Sequence, residues 1–186
     1  MNININDIKN GMSVIIEGNL YTIIDFQHVK PGKGPAFIRI KLKNLKTGSI
    51  TEETFNTNIK VEKAHVDKMP MQYLYNTGDT FYFMNTKNYE QIEISANLLK
   101  EEVKFLKENL EIEIASFNVE IIGITLPEKV EYTITHTEPT VKGNTSGNAL
   151  KDATIETGHI IKVPLFIGNG EKVIVSTKDG KYNSRA

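Results

Sequence analysis

The stretch Lys30-Pro31-Gly32-Lys33-Gly34-Pro35 sets one long side chain, the primary amine of Lys33, between two glycines and two prolines. Pro followed by Gly suits the central positions of a type II turn, because proline fixes its φ and glycine accepts a positive one. Gly34 adds freedom, and Pro35 restricts the residue before it. The spacing predicts a narrow tip, with Gly32 at the positive-φ position and Lys33 at the apex. A nucleophilic lysine needs burial or a neighbouring cation to lower its pKa, and such a tip offers little of either. A phosphate cradle of the form G-x-x-x-x-G-K-[ST] needs a helix opening at the lysine, whereas Gly34, Pro35 and a strand pattern follow here. Two readings stay open: a stiff hairpin loop with a solubilising lysine, or an amine carried out to a partner.

A second constellation follows at once. Ala36–Leu42 alternates, so that Ala36, Ile38, Ile40 and Leu42 point one way and Phe37, Arg39, Lys41 and Lys43 the other. Successive cations on one strand face lie roughly 7 Å apart. That spacing suits backbone phosphates better than base edges, and implies binding by shape rather than sequence. The formal net charge is only −1, but it is unevenly distributed. Residues 1–64 hold 9 Lys/Arg against 6 Asp/Glu, residues 65–127 hold 5 against 10, and residues 128–186 hold 8 against 7. Between Phe26 and Thr51 there is no acid at all. A concentrated basic patch is a footprint of phosphate binding, and equally of a solvated strand face.

Other chemistry finds little support. His28, His65, His136 and His159 are scattered and lack metal-ligand spacing, and without cysteine neither disulfides nor thiolate zinc sites can form. No metal and no cofactor is expected. Tyr73, Tyr75, Phe81 and Phe83 could stack bases, although alternating aromatics on strands are more often core. No Ser/His/Asp set can be assembled. The amino terminus lacks a basic start followed by an apolar run, and no apolar stretch approaches the ~20 residues of a membrane helix. A soluble cytoplasmic protein without a membrane partner is the expectation.

The elements that must position these groups are mostly short strands. Val14–Ile16 and Leu20–Phe26 flank Glu17-Gly18-Asn19, a hairpin signal, and Lys46-Thr47-Gly48 turns the chain into Ile50–Phe55. Together they predict a small barrel of SH3-like size. Residues 57–70 read as a junction. A second strand set covers 72–75, 80–84, 89–94, 112–117 and 119–124. Leu99, Val103, Leu106 and Leu110 recur at helical spacing, predicting one helix near 96–108 with Ser95 or Asn97 as N-cap. A third set runs over 130–135, a polar loop at 137–152, then 160–167 and 172–176. Gly78-Asp-Thr-Phe-Tyr-Phe echoes Gly170-Glu-Lys-Val-Ile-Val, which two similar five-stranded, OB-like barrels would explain and chance would too. The domains are expected at 1–64, 65–127 and 128–186.

These stretches carry a family resemblance. His28-Val-Lys-Pro-Gly-Lys-Gly-Pro-Ala-Phe37 resembles the modification loop of bacterial elongation factor P, and Asn44-Leu-Lys-Thr-Gly48 and Glu53-Thr-Phe55 follow at that family's spacing. Met71-Gln-Tyr-Leu-Tyr75 and Phe83-Met84 are similar to its second domain. Lys151-x-Ala153-Thr-x-x-Thr-Gly158, Val163-Pro164-x-Phe166-Ile167 and Gly180-x-Tyr182-x-Ser184-Arg185 resemble its carboxy-terminal signature. The resemblance covers essentially the whole chain. It implies an all-β protein: an SH3-like, KOW-type domain and two OB-like barrels, with one short helix in the middle domain and an L-shaped arrangement similar to tRNA. It implies a monomeric, non-enzymatic factor bound to the 70S ribosome between the P and E sites, contacting peptidyl-tRNA and rRNA. Lys33 would point at the acceptor end of the peptidyl-tRNA, as a target for a lysine-modifying enzyme. Arg39, Lys41, Lys43, Tyr182 and Arg185 would face tRNA or rRNA, and Gly143, Asn144 and Thr145 would approach the E-site codon. Asn144 stands where the family has Asp, and Asp152 where it often has Pro. A general OB-type single-strand nucleic-acid binder is the alternative, and it leaves the rigid lysine tip unexplained. The hypusine-bearing factor of eukaryotes and archaea shares the tip but usually lacks the third domain.

Overall fold

The computed structural model describes residues 1–139 and 149–186. The chain is almost entirely β and forms three antiparallel sheets. The first holds β1 (Asn2–Asn4), β2 (Ser13–Ile16), β3 (Asn19–Val29), β4 (Phe37–Asn44), β5 (Ile50–Asn56) and β6 (Lys60–Ala64), in the order β1-β6-β2-β3-β4-β5. Much of the stretch expected to be a junction is therefore strand: its central residues, 60–64, pair back onto β1 and β2. The core is formed by one face of each strand, with Val14, Ile23, Ile38, Ile40, Leu42 and Val61 buried. Glu17 and Gly18, both at positive φ, close the predicted β2–β3 hairpin as a two-residue turn of the type that suits the strand twist.

The second sheet holds β7 (Asp67–Thr77), β8 (Thr80–Met84), β9 (Gln91–Ser95), β10 (Glu111–Phe117) and β11 (Glu120–Thr125), in the order β11-β10-β7-β8-β9. The third holds β12 (Lys129–Thr137), β13 (Leu150–Ile155), β14 (Ile160–Pro164), β15 (Lys172–Ser176) and β16 (Lys181–Arg185), in the order β14-β13-β12-β15-β16. Numbered within each sheet, and read from β11 in one and from β16 in the other, both orders are fifth-fourth-first-second-third, the two OB-like arrangements expected. The sequence echo does not mark equivalent strands, however. Its first copy is the second strand of one sheet and its second copy the fourth strand of the other.

The helix is shorter than its apolar spacing suggests. Ser95 caps α1 (Ala96–Leu99) by accepting from the Asn97 N–H at 3.3 Å, but Lys100 then takes φ 54 and a 3₁₀ segment, Lys100–Phe105, follows. A left-handed residue ends α-helical bonding, whatever the side-chain pattern around it. Phe105, outside the predicted stripe, is buried in the core of the third sheet beside Tyr132, Ile134 and Val175.

By compactness the chain divides into one unit of Met1–Lys68 with Ala115–Gly123, and another of Met69–Ile114 with Ile124–Ala186. Among the described residues no helix is long and apolar enough to cross a membrane.

Candidate nucleic-acid interface

β3 and β4 form a long hairpin whose pairs lie equidistant from Lys33: Val29 with Phe37, Gln27 with Arg39, Asp25 with Lys41. Lys33 is therefore the geometric apex as well as the longest side chain there. Lys30, Pro31, Gly32, Lys33, Gly34 and Pro35 are all exposed. The turn differs from the one expected. Gly34, at φ 106, supplies the left-handed residue, whereas Gly32 is not at positive φ. The chain reverses after the lysine rather than before it. A Cβ on Gly34 would lie 4.0 Å from Pro31 Cγ, so the tip folds back over its own proline.

Arg39, Lys41 and Lys43 are exposed on one face of β4, as alternation requires, with Ile38, Ile40 and Leu42 buried behind them. Register adds what composition hides. Lys41 lies between Asp25 on β3 and Glu52 on β5, and the Arg39 Nε is 3.4 Å from a Glu52 carboxylate oxygen. The acid-free window ends at Asp25 and Glu52 in sequence, and the sheet returns both acids to its middle. Asn44 closes the β4–β5 turn by accepting from the N–H groups of Lys46 and Thr47 at 2.9 and 3.0 Å, which holds the basic strand in this register.

The other expected contacts lie on the third sheet. Tyr182 is half-buried against its core and lines a groove of about 480 Å³ with Leu150, His159, Ile160 and Lys162. Arg185 is exposed but engaged: its Nη2 donates to Glu171 at 3.3 Å, and its guanidinium lies 4.7 Å from the centre of the Phe166 ring. Gly143, Asn144 and Thr145 lie outside the described residues. Asp152 pairs with its register partner Lys162 at 2.7 Å.

Among the aromatics, Tyr73, Phe81 and Phe83 are core, while Tyr75 is half exposed and stacked on Tyr82 at 4.8 Å. Tyr73 and Tyr75 should share a face by strand alternation. A register shift between them turns Tyr75 outward. Among the described residues no three His, Asp or Glu side chains gather as metal ligands would.

Three family models tile the chain: the elongation factor P KOW-like domain over residues 4–61, its OB domain over 66–124, and its C-terminal domain over 130–185. The chain belongs to the elongation factor P family. It is thus a translation elongation factor rather than an enzyme, and it works with the ribosome and tRNA. Among solved structures, the archaeal factor described as eukaryotic translation initiation factor 5A from Methanococcus jannaschii is similar at 28% identity. That match covers 68% of this chain and 94% of the archaeal one, with a TM-score of 0.53. A translation initiation factor 5A family protein from Naegleria fowleri shares the fold at 18% identity, covering 68% of this chain and 98% of its own, with a TM-score of 0.52. Both nearly complete relatives leave about a third of this elongation factor P chain unmatched.

Sequence reasoning missed Asp25, Glu52, Glu171 and Phe166. The first two were recoverable, because a hairpin centred on Lys33 pairs equidistant residues. Glu171 carried no local signal, and Phe166 stood in the carboxy-terminal signature without a role, since the apolar run through Ile167 read as uninterrupted strand.

Proposed function

We propose that this elongation factor binds the ribosome between the P and E sites and directs Lys33 at the acceptor end of the peptidyl-tRNA. There it stimulates peptide-bond formation at consecutive prolines. The observation that carries this reading is Lys33 itself: exposed, at the symmetric apex of the β3–β4 hairpin, whose strands are packed into a barrel core with β5 paired alongside β4. A tip anchored on such a hairpin can place an amine at a fixed distance from the sheet that carries it. Arg39, Lys41 and Lys43 along the hairpin serve as phosphate contacts, and Tyr182 and Arg185 belong to a second RNA-facing end. The working domains are 1–64, 65–127 and 128–186, the factor acts as a monomer in the cytoplasm, and Lys33 is the substrate of a modifying enzyme.

Proline is a secondary amine with a locked ring, so it reaches the reactive pose poorly. A factor that holds the peptidyl-tRNA in that pose lowers the entropic part of the barrier, without exchanging protons or forming covalent bonds. The ribosome remains the catalyst. The test is in vitro translation of matched reporters, with and without a Pro-Pro-Pro run, using native factor and Lys33→Ala. Native factor relieves the proline stall and Lys33→Ala does not, while both support the control reporter equally. Equal relief by the two proteins would reduce Lys33 to an ordinary loop residue. Intact mass of factor purified from its host reads out any extension of Lys33.

A further inference from the structure

Phe166 is a large apolar side chain that the fold holds outside itself. It is 61% exposed, yet the residues around it are firmly placed. Ile167 is fully buried and its N–H donates to the Pro164 carbonyl at 3.1 Å, which makes Leu165 and Phe166 the corner of a turn. Farther along the same loop, Asn169 accepts from the Thr137 N–H at 2.6 Å and the Gly170 N–H donates to the Ile134 carbonyl at 2.8 Å. The ring is thus presented on a loop tied down at several points, and its rotamer is further held by the guanidinium 4.7 Å from its centre.

Arg185, the residue expected to meet RNA here, is committed elsewhere. Its Nη2 lies 3.3 and 3.5 Å from the two Glu171 oxygens and 3.5 Å from the Phe166 carbonyl. A cation whose charge is matched by an adjacent carboxylate releases few counterions when a phosphate approaches. A guanidinium held over the face of a ring, by contrast, makes a cation–π contact that fixes the ring in place.

We propose that Phe166 is an RNA-stacking residue, receiving an unpaired nucleobase, and that Arg185 and Glu171 act as its positioning residues rather than as a phosphate clamp. This rests on the reading that this end of the third sheet faces RNA. Base stacking on an aromatic ring is tolerant of sequence, as a factor serving many tRNAs requires.

The chain contains no tryptophan, so Phe166→Trp gives the chain a single tryptophan, at the site. Ribosome co-sedimentation of wild type and Phe166→Trp is measured first, followed by Trp emission and acrylamide quenching with and without 70S ribosomes carrying P-site tRNA. A stacked base quenches emission and shields the ring from acrylamide. Phe166→Leu weakens ribosome binding roughly 5- to 100-fold and Phe166→Tyr restores it. Arg185→Gln weakens binding without changing its dependence on salt. Bound protein with unaltered emission and access overturns the proposal. So does a blue-shifted, unquenched emission, which marks an apolar protein pocket, or full binding by Phe166→Leu. Failure of wild type to bind ribosomes overturns the underlying functional reading, and this inference with it.

Discussion

The Tyr132 hydroxyl donates to the Phe105 carbonyl at 2.6 Å, joining the first strand of the third sheet to the 3₁₀ segment that follows α1. Burial, and next the nearby Glu156 carboxylate, push the phenol far above its usual pKa, so it remains a donor at any physiological pH. Around this bond the Phe105 ring enters the third-sheet core, Lys107 donates to the Glu131 carbonyl at 2.6 Å, and Thr157 donates to the Lys104 carbonyl at 2.6 Å. Tyr132→Phe keeps the ring and leaves the Phe105 carbonyl buried without its donor. It should lower unfolding free energy by about 1–3 kcal/mol, read from urea denaturation.

The tip glycines should behave differently from each other. At Gly32, which is not at positive φ and has open space at its Cβ position, Ala is accommodated and loop entropy falls. Gly34 has φ 106, where any L side chain is strained. Thermal unfolding of Gly32→Ala should match or exceed wild type. Gly34→Ala should destabilise the turn or redirect Lys33, read as lost relief of proline stalling.

Asp25 and Glu52 should restrain RNA binding by the basic strip. Asp25→Asn with Glu52→Gln should tighten ribosome binding at low salt and steepen its salt dependence. Reversal of Arg39, Lys41 and Lys43 to Glu should weaken binding and flatten the slope by about one per cation lost. Unchanged slopes in both would mark the strip as a solvated face.

The β10–β11 hairpin carries a replaceable strain. Asn118 and Val119 form its two-residue loop at φ 48 and 69, and Val119 is 96% exposed. A β-branched residue is a poor occupant of that conformation, whereas Asn-Gly is the favoured pair. Val119→Gly should raise stability by roughly 1 kcal/mol, measured by denaturant titration.

His159 gives a pH dependence. Burial first, then the Lys104 ammonium, lower its pKa, against an opposing pull from Glu101, and its ring meets Phe105 edge-on at 5.6 Å. A depressed folded-state pKa means the unfolded chain binds the proton more readily. Stability from this source is therefore complete above the ordinary histidine range near pH ~6.5 and falls on acidification through it. Melting temperature should drop between pH ~7.5 and ~5.5 in wild type, and less in His159→Gln.

What the sequence determined by itself was local. The Glu17-Gly18 turn, the alternation of Ala36–Leu42, a helix start at Ser95 or Asn97 and the apical lysine are all written in neighbouring residues, because backbone preference and two-residue periodicity act over a few positions. The family signature and the three β domains rest on such patterns accumulated along the chain. Tertiary structure decided whatever depends on pairing between distant segments. Register set Asp25 and Glu52 beside Lys41, and a one-residue irregularity near Leu74 turned Tyr75 outward while Tyr73 stayed in the core. The fold also drew Phe105 into the core of the third sheet and matched Arg185 with Glu171. Side-chain environment on a sheet is set by which strand lies alongside and in what register, and a shift of one residue exchanges its two faces.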